Sequence, residues 1–320
     1  MPELPEVTTT VKGLQKVLPG LKIVSVWTDL AKKNQNIKQF KDTIKNDVFF
    51  KKFQKIITGE KVINAERRAK NILINITGGH TILIHLKMTG HLLFGEYTKV
   101  VSSKQKVVGG KKTKEIKWIP KNEGPLNDPY NRFIHVVFSF SNDKQLAFCD
   151  SRKFGKVTLI SSSDLTTSNH LKNIGPEPLE KSFTFSKFKK QILLKPIWKI
   201  KTILMTPSII AGIGNIYSDE MLWLANIHPE SNPSLIPDSY LLKLYNSMKK
   251  VLFKGIDFGG DSMSDYRNIH GLKGDFQNHH NVYQKKNTVC GKKGCQGVIM
   301  RKVINGRSSH YCAVHQKLFN

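Results

Sequence analysis

Short apolar runs, each broken by glycine, asparagine or lysine, dominate the chain up to about residue 160. Their β-branched and aromatic content is typical of strands. The runs are "KIVSVW", "NILINI", "HTILIHLKM", "HLLFGEY", "FIHVVFSFS" and "KVTLIS". Residues 5–17 precede them with the pattern of a helix. The pattern therefore predicts a β-sandwich or flattened barrel behind an N-terminal helix.

The spacing of apolar residues changes in the second half of the chain. Apolar residues three and four apart predict helices in "FSKFKKQILL", "IKTILM", "SDEMLWLANI" and "PDSYLLKLYNSMKKVLFKGI". Between the halves, "GPEPLEKS" predicts an extended interdomain linker, because its two prolines restrict the backbone. The chain then becomes rich in glycine, asparagine and histidine before it reaches a cysteine cluster.

These segments predict an α+β protein with four parts. Residues 1–174 form a β-sandwich domain, 175–183 a linker, 184–280 a helical domain and 281–320 a metal finger. Residues 96–130 are polar, rich in lysine and interrupted by glycine and proline. We expect them to form a long loop or hairpin insertion that is partly mobile.

The last 31 residues contain Cys290, Cys295, Cys312 and His315. Two close pairs separated by a span that can form a hairpin allow four donors to converge tetrahedrally on one structural Zn²⁺ ion. His310 is the alternative fourth ligand, but it lies two residues before Cys312 and meets the metal less easily from the same turn. The hairpin carries "NGRSSHY".

The charge balance implies a polyanionic partner. The chain has 320 residues, enough for about two domains, and 51 Lys and Arg residues against 24 Asp and Glu residues give a net charge of +27. Nucleic acid is the first candidate, with an anionic membrane or plain solubility as alternatives. No apolar run approaches the roughly 18 residues of a spanning helix, and the acidic N-terminus is unlike a signal peptide. We expect a cytoplasmic monomer without membrane association.

The opening "MPELPEV" has two interpretations. Pro5 and Glu6 suit the first turn of a helix, where the missing N–H is harmless and the dipole favours a carboxylate. Alternatively, removal of Met1 would leave the secondary amine of Pro2 at the terminus beside Glu3, and a free amine beside acids can act as a nucleophile.

Four further segments are candidates for a functional role. In "IIAGIGNIYSDE", Asn215 follows two glycines before a helix, which predicts either a backbone nest for a phosphate or a tight turn. Lys70 lies beside two arginines, which is more typical of a solvated face. "KMTG" and "DSRKFG" place Met88 and Phe154 on turns, where they suit wedges that enter a base stack when a nucleotide is flipped out.

Taken together, these segments resemble the formamidopyrimidine-DNA glycosylase family, bacterial base-excision enzymes that remove oxidised purines. The matching segments run in order from "MPELPEV" through "RRAKNILI", "HLKMTG", "DSRKFG", "GPEPL", "AGIGNIYSDEMLWLANIHP" and "GGDSMSDYRN" to "GRSSHYC". The resemblance implies an N-terminal β-sandwich, a helical domain with a helix-two-turn-helix and a lesion-recognition loop, a zinc finger, and duplex DNA with damaged bases as the partner.

The resemblance also implies roles for the first residues of the chain. Pro2, exposed by loss of Met1, would attack C1′ of the damaged nucleoside and form a Schiff base with the opened sugar. Glu3 would be the acid-base that opens the sugar ring, and Glu6 would order the helix start and the lesion pocket. Strand cleavage by β- and δ-elimination would follow.

For the remaining residues the resemblance implies contacts with DNA. Lys70 and Arg307 would assist elimination and grip the phosphates that flank the lesion, while Lys201 and Asn215 would contact phosphates from the helix-two-turn-helix. The void left by the flipped base would be filled by Met88, Arg152 and Phe154, with the intervening Lys153 in place of a commoner arginine.

The chain departs from the family pattern at three further places, of which one is the insertion at 96–130, which has no counterpart in a minimal member. The finger has a four-residue first gap and a histidine as last ligand, and Phe133 stands where many members carry a DNA-contacting histidine, leaving Arg132 or His135 as substitutes. Two alternatives to an oxidised-purine enzyme stay open: an endonuclease VIII-like glycosylase for oxidised pyrimidines, and a noncatalytic zinc-finger DNA-binding protein.

Overall fold

The computed structural model describes residues 1–32, 40–108 and 111–320, with the side chains of residues 102–114 left out of the description. The predicted insertion at 96–130 therefore lies partly outside the described residues. The elements in chain order are α1 (Leu4–Val17), β1 (Ile23–Thr28), α2 (Asp47–Ile57), β2 (Val62–Arg68), β3 (Asn71–Ile76), β4 (His80–His85), β5 (His91–Gly95), β6 (Tyr97–Val108), β7 (Lys111–Pro120), β8 (Ile134–Phe140), β9 (Gln145–Cys149), β10 (Lys156–Ser161), α3 (Phe185–Ile192), α4 (Ile200–Leu204), α5 (Asn215–Ala225), α6 (Asp238–Asp257), β11 (Ile299–Ile304) and β12 (Arg307–Cys312).

Two antiparallel four-stranded sheets form the N-terminal half. Their strand orders are β1-β8-β9-β5 and β10-β4-β3-β2. The alternating apolar side chains of both sheets share one buried cluster with residues of α1 and α2, so the predicted β-sandwich behind an N-terminal helix is confirmed. Helix α2 is an addition to the predicted elements. Its start is set by the Asn46 side chain, which accepts a hydrogen bond from the Phe49 amide.

The insertion contains a two-stranded antiparallel hairpin, β6 and β7, that forms its own sheet. Of the predicted alternatives, loop or hairpin, the hairpin is correct for the described residues. Trp118 and Tyr97 at its base pack with Trp27 of the sandwich in a small apolar cluster. The base of the hairpin is therefore part of the folded domain.

The second half has a helical core built from α3, α4, α5 and α6, as the apolar spacing predicts. Leu4, the first residue of α1, is fully buried in this helical core, whereas the rest of the α1 apolar face packs in the sandwich. The start of α1 consequently lies at the junction between the two halves.

The segment predicted as a linker is held by charge rather than by its prolines alone. The buried Glu177 carboxylate lies 2.6 Å from Arg67 and 2.9 Å from Arg68, and it also accepts the Ala69 amide at 2.6 Å. The composition of the segment around Lys70 suggested a solvated face. That prediction is wrong for the two arginines, because both are paired with buried Glu177. They connect β2 to residues 174–177, and Arg68 also donates to the Gly175 carbonyl.

In the described part of the chain, no helix is long and apolar enough to cross a membrane.

Candidate active site

The N-terminus of α1, the N-terminus of α5 and the β11–β12 turn converge on a cavity of about 840 Å³. Glu3, Lys70 and Arg307 line it, although they are up to 304 positions apart in the chain. Pro2 lines an adjoining cavity of about 200 Å³ together with Glu6. The structure therefore brings together all the side chains for which the sequence predicts a catalytic role.

Met1 is part of the wall of both cavities. Its side chain is 44% exposed, whereas Pro2 behind it is buried. Met88, Ile216, Tyr283 and Gln284 also line both cavities. Removal of Met1 would accordingly open the Pro2 nitrogen toward the space where the two cavities adjoin.

Glu3 is buried with one carboxylate oxygen paired and the other free. Its Oε1 accepts the Ile216 amide at 3.0 Å, while Oε2 has no hydrogen-bond partner among the described residues. Because Ile216 lies in the first turn of α5, the positive end of that helix faces the Glu3 carboxylate. The unpaired Oε2 is available to a group that enters the cavity.

The two glycines of "GIGN" bring α5 close to α1. A Cβ atom on Gly214 would lie 2.3 Å from the Glu3 carboxyl carbon, and the Gly212 carbonyl accepts the Leu4 amide at 3.0 Å. Gly212 also has φ of +81°, which a side chain rarely tolerates. The two glycines therefore allow the Glu3 carboxylate to approach the start of α5 closely, and the predicted phosphate nest at Asn215 stays a prediction.

Glu6 is buried and accepts three hydrogen bonds. Its Oε2 accepts the Glu3 amide at 2.7 Å, and its Oε1 accepts the Tyr217 hydroxyl at 2.6 Å and the Asp261 amide at 2.7 Å. Burial, together with the negative charge of Glu3, raises the pKa of Glu6 from 4.5 to about 7, against the opposite effect of the three donors. Glu6 thus links α1, α5 and the segment after α6.

We expect Glu6 to make the folded protein less stable as the pH rises from about 4.5 to 7. Over this range the folded protein holds a proton that the unfolded chain has lost, so the free energy of unfolding falls with pH. A pKa change from 4.5 to about 7 corresponds to about 3 kcal/mol. In Glu6→Gln this pH-dependent loss of stability should vanish. The difference in free energy of unfolding between the variant and the parent should therefore shift by about 3 kcal/mol in favour of the variant from pH 4 to pH 8.

Urea unfolding of both proteins across that pH range measures this gain. Glu66→Gln, which neutralises a carboxylate on the surface, is the matched control for the loss of one charge. Parallel curves for Glu6→Gln and the parent protein would show that Glu6 does not titrate in this way.

Lys70 and Arg307 approach the cavity from opposite halves of the protein. Burial lowers the pKa of Lys70, the carboxylates Glu3 and Glu6 raise it, and the charge of Arg307 lowers it further. Arg307 follows the two-residue turn Asn305–Gly306, both with positive φ, which is the favoured connection in a tight hairpin. As the sequence predicts, Arg307 stands at the tip of the hairpin, where it is exposed.

Helix α5 holds this hairpin in place through one buried acid. Asp219 accepts the Ser309 hydroxyl at 3.0 Å and the His310 amide at 2.9 Å, and its Oδ1 lies 2.5 Å from Lys201 Nζ. Lys201 also donates to the Ser308 carbonyl at 2.9 Å. The arrangement fixes the position of β12 relative to α5.

The predicted phosphate contact of Lys201 stays a prediction. Its side chain is 1% exposed and its ammonium group binds Asp219 and the Ser308 carbonyl, but Lys201 also lines the large cavity. An ammonium group has three N–H donors, so these two contacts leave one donor for a phosphate. The structural role was not visible in the sequence, because its partners lie 18 and 107 positions away.

The residues predicted to fill the void after base flipping lie on two adjacent turns. Met88 is 40% exposed and Phe154 is 51% exposed. The guanidinium of Arg152 lies 4.6 Å from the centre of the Phe154 ring, and Lys153 has φ of +57°. Buried Asp150 fixes the second turn by accepting the Gly155 amide at 2.6 Å, so exposed apolar groups are held rigidly.

Of the two candidates for the DNA contact at the Phe133 position, only one is accessible. His135 is buried, with Nδ1 2.9 Å from Asp29. Arg132 is exposed, and its guanidinium lies 4.9 Å from the centre of the Phe133 ring. His135 therefore contributes to packing in β8, and Arg132 stays as the candidate.

Two residues that shape the cavity, one in its wall and one behind the wall, were not singled out from the sequence. His85, within the segment "HLKMTG", lines the large cavity beside Lys70. Burial and the charges of Lys87, Lys70 and Lys156 lower the pKa of His85 to about 3, so its ring stays neutral at physiological pH. Glu220 on α5 accepts the amides of residues 281–283 and thereby holds Tyr283 against the cavity. The role of Glu220 could not be predicted from the sequence, because a glutamate inside a helix is usually solvent-exposed.

Four potential metal ligands meet at the base of the β11–β12 hairpin. One donor atom from each of Cys290, Cys295, Cys312 and His315 lies within 4.8 Å of all the others. The Cys295 and Cys312 sulfurs are 3.6 Å apart, and Cys290 Sγ is 3.3 Å from His315 Nδ1. Donors of a tetrahedral zinc ion are about 3.5 to 3.8 Å apart, so the group fits one such ion.

Hydrogen bonds around this group orient the ligands. His315 Nε2 lies 3.2 Å from the Trp223 carbonyl, which leaves Nδ1 for a metal. The Trp223 indole in turn donates to Cys290 Sγ at 3.4 Å. His310, the alternative ligand, instead faces Asp219, with Nδ1 3.3 Å away. The structure thus favours His315.

Comparison with known proteins agrees with this geometry. The family model for the N-terminal domain of formamidopyrimidine-DNA glycosylase matches residues 1–157, and the model for its H2TH domain matches residues 174–267. Together they cover most of the chain, including α1, the sandwich and α5.

Curated relatives match over nearly the whole length. Formamidopyrimidine-DNA glycosylase of Pelotomaculum thermopropionicum is 33% identical over 99% of this chain and 100% of its own, and that of Herpetosiphon aurantiacus is 32% identical over the same shares. Among solved structures, Lactococcus lactis Fpg bound to DNA with an abasic site has a TM-score of 0.78 at 30% identity, covering 98% of this chain and 99% of that one. A complex of a Lactococcus lactis mutant with Fapy-dG DNA has the same TM-score at 29% identity, covering 99% and 100%. The chain therefore belongs to the formamidopyrimidine-DNA glycosylase family.

Proposed function

We propose that this protein is a bifunctional DNA glycosylase and apurinic/apyrimidinic lyase that removes oxidised purines, 8-oxoguanine and formamidopyrimidines, from duplex DNA. The observation that carries the proposal is the convergence of Pro2, Glu3, Lys70 and Arg307 on two adjoining cavities at the junction of the two halves. A pure binding protein has no need of a terminal secondary amine beside a buried carboxylate.

The first chemical step uses the Pro2 amine, which removal of Met1 would free. An α-amino group titrates near pH 8, so a useful fraction is unprotonated at neutral pH. The nitrogen forms a bond to C1′ as the bond from C1′ to the base breaks, and the base leaves with that electron pair and takes up a proton. The nitrogen loses its own proton, and ring opening breaks the C1′–O4′ bond to leave an iminium ion.

Glu3 would serve this ring opening. Its Oε2 lacks a partner among the described residues, and a protonated carboxyl group there would donate to O4′ as the ring opens. The iminium then makes the C2′ proton acidic. Loss of this proton expels the 3′ phosphate, loss of the C4′ proton expels the 5′ phosphate, and water releases the enzyme.

Lys70 and Arg307 would bind the phosphates that flank the lesion, because both are cationic and line the large cavity. Zinc bound by the three cysteines and His315 would hold the hairpin that carries Arg307. Arg152 and Phe154 would fill the gap left by the flipped nucleotide. The amide of Asn215, at the start of α5, would add to the positive potential in the large cavity. The net charge of +27 supports binding to duplex DNA.

The smaller cavity is the candidate pocket for the damaged base. It is lined by Glu6 and, from the segment after α6, by Asp261, Met263, Ser264 and Tyr266. Its lining combines polar and apolar side chains, which suits a planar heterocycle with altered donors and acceptors.

Borohydride trapping tests this proposal. The protein is incubated with duplexes that carry 8-oxoguanine opposite cytosine, an oxidised pyrimidine or an undamaged base, and the adduct is mapped by mass spectrometry. We expect a covalent adduct on Pro2, in protein that lacks Met1, with the 8-oxoguanine duplex. The undamaged duplex is the control and should give none.

Two results would redirect the assignment. An adduct formed only with the oxidised pyrimidine would favour an endonuclease VIII-like enzyme. Lesion-selective binding without an adduct on any duplex, including one with an abasic site, would favour a noncatalytic DNA-binding protein.

A further inference from the structure

The segment that follows α6, residues 259–275, is named the recognition loop below. It contains no helix or strand, and its residues Asp261, Met263, Ser264 and Tyr266 form one wall of the smaller cavity. A loop without its own secondary structure needs external contacts to hold a single conformation.

Arg267 supplies one such contact. Although it lies in a loop, its side chain is 1% exposed. Its Nε and one terminal nitrogen lie 3.2 Å from the carboxylate oxygens of Asp128, and its other terminal nitrogen donates to the Ser264 and Tyr266 carbonyls at 2.9 and 2.8 Å. The guanidinium also lies 4.8 Å from the centre of the Tyr130 ring. One side chain thus binds both its own loop and a distant segment.

That distant segment, residues 124–132, follows β7 and connects the β6–β7 hairpin to β8; together with Tyr97 and Trp118 it is called the hairpin base below. It is itself anchored, because Asn131 donates to the Pro125 carbonyl at 3.0 Å and lies 2.9 Å from the ring of buried His91 in β5. Asp128 also accepts the Tyr130 amide at 2.9 Å. Its carboxylate is therefore held in place before it meets Arg267.

Two backbone contacts beside the ion pair complete the attachment. The Phe94 amide of β5 donates to the Ile269 carbonyl at 2.7 Å. Gly271 packs so closely on the hairpin base that a Cβ atom would lie 2.5 Å from the Pro125 carbonyl oxygen, and its φ is +81°. The recognition loop is consequently fixed to the N-terminal half at Arg267 and at two positions that follow it, Ile269 and Gly271.

We propose that the base of the inserted hairpin positions the recognition loop for base excision, with Arg267 and Asp128 as positioning residues. A loop ordered during folding need not be ordered again when the damaged base enters, so less binding energy is lost. An abasic site has no base to contact the loop. The ion pair of Arg267 with Asp128 is called the clamp below. Loss of the clamp should therefore slow the excision of a damaged base but leave the rate of cleavage at a preformed abasic site unchanged.

The inference rests on the proposed function, and its test compares two reactions of the same protein. Single-turnover rates are measured on one duplex with 8-oxoguanine and on the same duplex with an abasic site, for Asp128→Asn, Arg267→Met and the double variant. We expect each single variant to lose up to about a hundredfold on the 8-oxoguanine duplex, with abasic cleavage within about twofold of the parent. The double variant should be no worse than the worse single variant.

Glu96→Gln is the matched control, because Glu96 forms an exposed ion pair with Lys121 on the same hairpin, 3.9 Å apart, and its rates should not change. Equal losses on both duplexes, or no loss on either, would overturn the clamp. Amide hydrogen exchange in residues 259–275 should speed up in Asp128→Asn. This readout needs no catalysis, so a parent protein that cleaves neither duplex would refute the proposed function and leave the clamp to be judged by exchange alone.

Discussion

A chain with one glycine added before Pro2, and Met1 removed, should lose trapping and strand cleavage by at least about a thousandfold. The added residue turns the Pro2 nitrogen into an amide, whose lone pair is delocalised and cannot attack C1′. The proline ring, Glu3 and Glu6 are otherwise retained. Borohydride trapping and single-turnover cleavage of an abasic duplex measure the loss.

The rival nucleophile in the cavity is Lys70, whose pKa is lowered by burial. Pro2→Gly, which retains a terminal amine, is the matched control and should keep substantial trapping. Binding to a duplex with an uncleavable abasic analogue should change little in either variant, which shows that the fold is intact. An adduct mapped to Lys70, or full activity of the extended chain, would contradict the assignment of Pro2.

Removal of the metal should detach the hairpin that carries Arg307 and abolish specific DNA binding. Structural zinc contributes about 10 to 16 kcal/mol in finger peptides, and the apolar cluster beneath this hairpin contains two of the ligands, Cys290 and Cys312. Chelation should therefore lower the melting temperature and weaken DNA binding together. Elemental analysis should find one zinc ion per chain before treatment.

Two histidine variants test which histidine is the fourth metal ligand, and each serves as the control for the other. His315→Ala should weaken zinc affinity by more than about a hundredfold, since even loss of an outer-shell partner of a ligand costs 10 to 100-fold. His310→Ala should keep the metal, because its ring faces Asp219 instead. A protein without zinc whose melting curve is unaffected by chelator would contradict the structural role of the metal.

Local patterns predicted much of the fold. The β3 run "NILINI" coincides with the strand Asn71–Ile76, and the helix predicted for residues 5–17 is observed as Leu4–Val17. Alternating and three-to-four spacings are properties of neighbouring residues, so they survive without knowledge of the tertiary structure. Helix α2 was not predicted, because its apolar face is interrupted by lysines and its start depends on the side-chain cap of Asn46.

Pairings across the chain could not be predicted in this way. Glu177 with Arg67 and Arg68, Lys201 with Asp219, and Arg267 with Asp128 are each separated by 18 to 139 positions. A charged residue in a sequence looks the same whether it is solvated or buried against a partner. The expectation of a solvated arginine cluster failed for this reason, and the buried pairing of Lys201 with Asp219 was not foreseen.

The sequence by itself determined the α+β class, the order of most elements, the three cysteines of the candidate metal site and the excess of positive charge, because each is encoded in composition or short-range spacing. Only the tertiary structure decided which groups share the cavity, which carboxylate keeps an unpaired oxygen, and which cations are free to meet DNA. Those properties depend on burial and on distances between remote segments. Burial and proximity raise the pKa of Glu6 to about 7 and commit Lys201 to Asp219, and no neighbouring residue in the chain reveals either.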